Sequence, residues 1–294
     1  MGQDILIGLM VSADGDTLGK LRKFVPYGIE SVAFTFGHDK EDMMDPEEFA
    51  SIIMPFLNEN NVKVGALEAY GNPLLDTPKA LKLRQILGRL AECAHLFGTD
   101  VVAGFTGRVL GCPVPDSIPK FKEVWTPICE KAGELGVRVA FENCPMGGDW
   151  WRGDWNIAFN PSAWELMFEA IPLPNVGLEW EPAHQLRQFI DPLPQIATWG
   201  RRIFHLHGKD ANVMRDTIKT YGISGPRPAV RDRHPGFGDM NWVDIISELQ
   251  AVGFKGSIDI EGWHDPIYKD ALEMTGQLFA LNYLKRCRPD FVPN

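Results

Sequence analysis

Seven ionisable side chains stand at the ends of the last four short apolar runs of the chain: Glu142, Glu179, Glu181, His205, His207, Asp259 and Glu261. In FHLHGKDA (204–211), strand alternation puts His205, His207 and Lys209 on one face, and Phe204, Leu206 and Gly208 on the other. Burying three such groups is costly unless something pairs with them. If the four runs lie side by side with their ends level, Glu142, Glu181, His207 and Glu261 converge into three carboxylates and one imidazole. Carboxylates packed that closely repel and stay partly protonated unless a cation joins them. A mostly oxygen donor set with one nitrogen suits Mn2+, Mg2+ or Co2+ better than Zn2+, which favours thiolate-rich sites. Any one of these residues alone reads equally well as half of a private salt bridge. The same feature at the same end of four runs argues against that for the set.

Such convergence needs parallel strands, and the chain supplies their rhythm. Apolar runs begin at 5, 29, 62, 99, 137, 176, 202 and 256, separated by amphipathic stretches such as PKALKLRQILGRLAECAHLFG. Gly98, Gly136 and Gly253 sit where a helix would stop before the next strand. Eight strand–helix units without a linker predict a single α/β domain over 1–294, a closed (β/α)8 TIM barrel. An open doubly wound sheet is the alternative, but VSADGDTLGK lacks the Gly-x-Gly-x-x-Gly spacing after the first strand. Two long connections, about 145–161 after strand five and about 210–238 after strand seven, fall on the barrel's catalytic face and predict lids or substrate walls.

Composition narrows the partners. The 294 residues carry a formal net charge of −10, which argues against a nucleic-acid surface. No apolar run is long enough to span a membrane, and no basic, then apolar, leader precedes ILIGLMVS. Five scattered cysteines without CxxC spacing predict a reduced, cytoplasmic protein. A homo-oligomer stays open.

The motifs FENCP, GLEWEPAH, HLHGKD, HPGFGDMNW and SIDIEGWHDP, in that order, resemble the sugar isomerase/epimerase group of xylose-isomerase-like TIM barrels, which includes ketose 3-epimerases and inosose dehydratases. The resemblance implies one divalent metal on Glu142, Glu181, His207 and Glu261. It also implies a substrate-contacting or supporting His184, and a substrate-binding arginine before PGFGD, for which Arg233 is the candidate. Glu142 and Glu261 would be the catalytic pair on opposite faces of a small carbohydrate. One departure is visible: the family's sixth-strand ligand is usually Asp, and here it is Glu181, with Glu179 as a competing ligand two residues deeper.

The implied activity is a metal-dependent isomerase or epimerase of a sugar, keto-sugar or polyol, moving a proton beside a carbonyl through a metal-stabilised enediolate. The alternative is a lyase expelling a β-substituent from a keto-sugar, inosose or 3-keto-glycoside. His205 reads either as support for the site or as an ordinary hydrogen-bonded barrel histidine. Lys209 could contact substrate or pair with Asp210. Trp150, Trp151, Trp155, Trp180 and Trp263 add aromatic weight, and Trp263, two residues beyond Glu261, is the stacking candidate for a sugar face.

Overall fold

Each of the eight apolar runs becomes a parallel strand. The computed structural model of the chain describes residues 4–37, 44–262 and 264–289. The barrel strands are β1 (Ile5–Ser12), β2 (Ser31–Thr35), β3 (Lys63–Glu68), β4 (Val101–Gly104), β5 (Arg138–Glu142), β6 (Val176–Trp180), β7 (Ile203–Gly208) and β10 (Gly256–Ile260). They close in the order β1-β10-β7-β6-β5-β4-β3-β2. Between β7 and β10 lies an antiparallel pair, β8 (Asp210–Val213) and β9 (Val230–Arg233). The long connection after β7 is therefore built around a strand pair rather than an open loop.

The helices are α1 (Thr17–Phe24), α2 (Pro46–Glu59), α3 (Pro78–Phe97), α4 (Val114–Glu134), α5 (Pro161–Ala170), α6 (Pro182–Leu186), α7 (Pro192–Trp199), α8 (Arg215–Tyr221), α9 (Trp242–Ala251) and α10 (Glu273–Cys287). Their starts are written in the sequence. Asp45, Thr77, Asn160, Asp191 and Asn241 each accept a backbone N–H of the first turn. Gly98, Gly136 and Gly253 take φ of 67°, 73° and 79°, the left-handed conformation that ends a helix at little steric cost.

Two hydrophobic sets follow from alternation along the strands. Val102, Val139, Phe141, Leu178 and Leu206 join the large core under the helices. Ala33, Ala66, Val101, Ala103, Ala140 and Phe204 form a separate cluster. Phe204 departs from strict alternation with Leu206, because the β6–β7 register shifts between Leu178 and Glu179. Gly177 leaves room for it: a Cβ there would sit 2.5 Å from the Phe204 ring. Among the described residues, no helix is long and apolar enough to cross a membrane.

Candidate active site

Six carboxylates (Glu68, Glu142, Glu179, Glu181, Asp259 and Glu261) are buried with His184, His205, His207 and Lys209. They form two layers.

The deeper layer is fully hydrogen-bonded. His205 lies between two carboxylates, with Nδ1 2.8 Å from Glu179 Oε1 and Nε2 2.8 Å from Asp259 Oδ2. Ser31 and Ser257 hydroxyls each donate to Asp259 at 2.6 Å, and Tyr70 OH donates to Glu179 at 2.7 Å. Glycines make this possible. A Cβ on Gly8 or Gly65 would sit 2.4 Å from an Asp259 oxygen. Burial disfavours a charged His205, but Asp259 and Glu179 outweigh it and raise its pKa to about 9. Burial pushes the Glu179 carboxyl up.

The upper layer is not satisfied in that way. Glu142 ends β5, and Glu181 directly follows β6. Pro182 starts α6 at once, so His184 comes round one turn later on the same side. His184 Nε2 is 3.1 Å from Glu181 Oε1 and 3.3 Å from Glu142 Oε1. Asn143 holds the Glu181 backbone from both sides, donating to its carbonyl at 2.9 Å and accepting its N–H at 2.7 Å. Asn156, from the 145–161 connection, clamps the Glu142 and Cys144 carbonyls at 2.7 and 2.8 Å. Asn143 accounts for the Asn of ENCP, and together with Asn156 it fixes the end of β5.

His207 faces both layers. Its Nε2 lies 3.3 Å from Glu68 Oε1 and 3.4 Å from Glu179 Oε1, and its Nδ1 lies 3.6 Å from Glu181 Oε2. Both Glu181 oxygens and His207 Nδ1 are buried without a well-formed hydrogen bond. One ligand atom each from Glu142, Glu181 and His207 lies within 4.8 Å of the other two. Orphaned oxygen and nitrogen atoms converging on one point fit a small, hard divalent cation. Glu261 stands just outside this trio. Its Oε2 is 4.0 Å from His207 Nδ1 and accepts from Lys209 Nζ at 2.6 Å, while His264 Nε2 is 2.9 Å from Oε1.

The two outer carboxylates are biased in opposite directions. Burial raises the Glu142 pKa from its ordinary value, with His184 opposing. Burial also disfavours ionised Glu261, but the Lys209 ammonium outweighs it and lowers the pKa to about 2. Lys209 Nζ also lies 2.9 Å from Glu181 Oε1, and burial against ionised Glu181 is likewise overcome by its cationic neighbours. Glu142, His184, Lys209, Glu261 and Tyr70 line a cavity of about 560 Å3, within the roughly 300–1,000 Å3 usual for small-molecule sites.

The fold thus brings together Glu142, Glu181, His207, Glu261, His184, His205 and Lys209. Arg233 does not line that cavity: its guanidinium bonds Asp265 Oδ2, Asn212 Oδ1 and the Phe237 carbonyl at 3.0–3.1 Å. Trp263 lies outside the described residues. Lys209 pairs with Glu181 and Glu261 instead of Asp210. Asp210 is occupied by the N–H groups of Ala211, Gly236, Met240 and the Trp242 ring. Trp180 is fully buried and donates to Gln195 at 3.0 Å, so it packs behind the site.

Tyr70 and His264 were not singled out from sequence. Both had a signal: Tyr70 shares parity with Glu68 at the end of β3, and EGWH repeats the Glu-x-x-His spacing of EPAH.

A family model described as xylose isomerase-like TIM barrel matches residues 21–282. The chain is 25% identical over 273 residues to the uncharacterized protein YfiH of Bacillus subtilis (strain 168), covering 80% of this chain and 84% of that one. Its fold is similar to that of a D-allulose 3-epimerase from Methylomonas sp. in complex with D-allulose (TM-score 0.70, 13% identity, 98% of each chain). It is also similar to that of the probable 3-DHS dehydratase AsbF of Bacillus anthracis (TM-score 0.64, 14% identity, 94% of this chain and 98% of that one).

Proposed function

The chain belongs to the xylose isomerase-like TIM-barrel family, and from that premise we propose that it is a divalent-metal-dependent isomerase or epimerase of a sugar, keto-sugar or polyol. The observation that carries this is the pair Glu142 and Glu261, two buried carboxylates from different strand ends that line one cavity with His184 and Lys209. Glu261, kept ionised by Lys209, takes the proton from the carbon next to the carbonyl. Glu142 returns one from the side of β5. Strands β6 and β7 lie between β5 and β10 in the barrel order, so the two groups reach a bound sugar from separated directions. Removal on one side and return on the other inverts the carbon.

Glu142, Glu181 and His207 would hold the ion, with Glu261 as fourth ligand, and their oxygen-rich chemistry suits Mn2+, Mg2+ or Co2+. The bound ion would supply Lewis-acid polarisation of the carbonyl and its neighbouring hydroxyl. Glu68 would accept from His207 Nε2–H, with Glu179 Oε1 3.4 Å away, leaving Nδ1 as the ligand atom. His205 supports Glu179 from below. Lys209, His184 and His264 present donors to sugar oxygens.

A lyase is the second reading. It is favoured by the nitrogen donors beside Glu261, Lys209 Nζ at 2.6 Å and His264 Nε2 at 2.9 Å, which stand where a leaving group would need a proton. Lys209 and His264 are then the donors that protonate it. The test is incubation of Mn2+-loaded protein with ketoses and 3-keto-glycosides in D2O. Deuterium wash-in with interconversion of epimers is the expected result. Release of water or an aglycone selects the lyase, and no exchange with any substrate rejects both.

A further inference from the structure

Cys144 belongs to the FENCP motif, yet the proton-transfer scheme makes no use of it. Its thiol is half-buried and unpaired with any other cysteine among the described residues. It lines the same cavity as Glu142 and His184. Ligand atoms of Glu142, Cys144 and His184 all lie within 4.8 Å of one another. His184 is only 4% exposed; its Nε2 lies 3.1 Å from Glu181 Oε1 and 3.3 Å from Glu142 Oε1, yet neither ring nitrogen has a well-formed hydrogen bond. A buried imidazole normally satisfies at least one nitrogen. The cluster is also held in place. Asn156 clamps the carbonyls of Glu142 and Cys144 together, and Pro182 fixes the start of the helix that carries His184.

We propose that Glu142, Cys144 and His184 form a second cation site, which takes a thiophilic divalent ion such as Zn2+ and shares Glu142 with the oxygen-rich site. One sulfur, one nitrogen and one oxygen ligand, with a fourth position open to the cavity, is a donor set suited to zinc. The neighbouring trio of Glu142, Glu181 and His207 has no sulfur, so ligand softness sorts the ions between the two sites. When the ion binds, the Cys144 thiol gives its proton to solvent as the sulfur–metal bond forms, and no electron is transferred. His184 coordinates as the neutral ring. One consequence rests on the proposed function: an ion here occupies Glu142 and withdraws it from proton transfer, so excess Zn2+ inhibits turnover. The binding itself does not depend on that reading.

Co2+ is the probe, because a cysteine thiolate gives bound cobalt a near-ultraviolet charge-transfer band that carboxylate and imidazole ligands do not. Chelator-treated wild type is titrated with CoCl2 beside Cys144→Ser, His184→Asn and Glu181→Gln. Expected is a charge-transfer band in the wild type, abolished by added Zn2+. Cys144→Ser and His184→Asn should lose the band, the latter with all five cysteines still present. Glu181→Gln should keep it. Absence of the band from the wild type, or its survival in Cys144→Ser, overturns the site. If no sugar substrate is ever turned over but this pattern of bands holds, the second site stands and the isomerase reading falls.

Discussion

At the level of single residues, the distinctive feature is one type of side chain serving three purposes. Glu179, Glu181 and Glu261 are all buried glutamates, yet their neighbours separate them. Glu179 is consumed by His205 and Tyr70. Glu181 keeps two oxygens without well-formed hydrogen bonds beside His207. Glu261 is held by Lys209 and His264. Glu179 is thus tied down by two hydrogen bonds, whereas Glu181 has only the close approach of Lys209, His184 and His207, which is why the proposed ligand set takes Glu181. The two-carboxylate scheme makes a sharp prediction. Glu142→Gln and Glu261→Gln should each lower epimer interconversion by roughly 10²–10⁴-fold, the usual contribution of general acid–base catalysis. Each should still exchange deuterium into one epimer, because one proton-transfer face survives. Measuring wash-in from each epimer separately checks it, and equal loss from both epimers in both variants argues against a split role.

At the level of elements, the barrel accommodates charge by removing side chains elsewhere. Gly8 on β1 and Gly65 on β3 leave the space that Asp259 of β10 and its serine donors occupy. A Cβ on Gly65 would stand 2.0 Å from Ser257 Oγ and 2.4 Å from Asp259 Oδ2. Gly65→Ala should therefore destabilise the fold by about 1–3 kcal/mol through overpacking, read as a lower urea midpoint with an unchanged m-value. It should also weaken metal binding, since Asp259 supports His205, then Glu179, then His207. A variant as stable as the wild type would show that the deep layer tolerates the shift. Element ends matter in the same way. The β5 terminus is set by Asn143 and Asn156, one from the strand's own continuation and one from the long connection.

At the level of the whole molecule, Asp265 joins the segment after β10 to the β8–β9 pair. It accepts the N–H groups of Ile267, Tyr268 and His234 and the Arg233 guanidinium. Burial opposes its ionisation, but those donors outweigh burial and hold its pKa at about 2, below the ordinary 3.8. A carboxyl with a depressed folded pKa adds stability above its unfolded pKa, and that contribution fades as pH falls through the folded one. Asp265→Asn should thus be less stable than wild type at pH 7, and the gap should narrow as pH falls from about 4 toward 2. Urea midpoints across that range measure it, and a gap independent of pH would assign the loss to packing.

Much of this was already legible in the chain. Eight apolar runs, helix starts at Asp45, Thr77, Asn160, Asp191 and Asn241, and left-handed glycines at 98, 136 and 253 are local signals, and local physics reads them directly. Strand parity and position at the strand ends also placed Glu142, Glu181, His207 and Glu261 together, because period-2 alternation and parallel packing leave little freedom. Parity failed at Phe204, where a register shift between neighbouring strands turned a side chain that alternation assigns to the other face. Three-dimensional packing decided the rest. It diverted Arg233 to Asp265 and Lys209 to Glu181 and Glu261, and it filled the deep layer with Tyr70, Ser31 and Ser257. Those choices depend on distances between residues up to 228 positions apart. No pattern along one strand encodes which of several nearby carboxylates a long, flexible cation will reach.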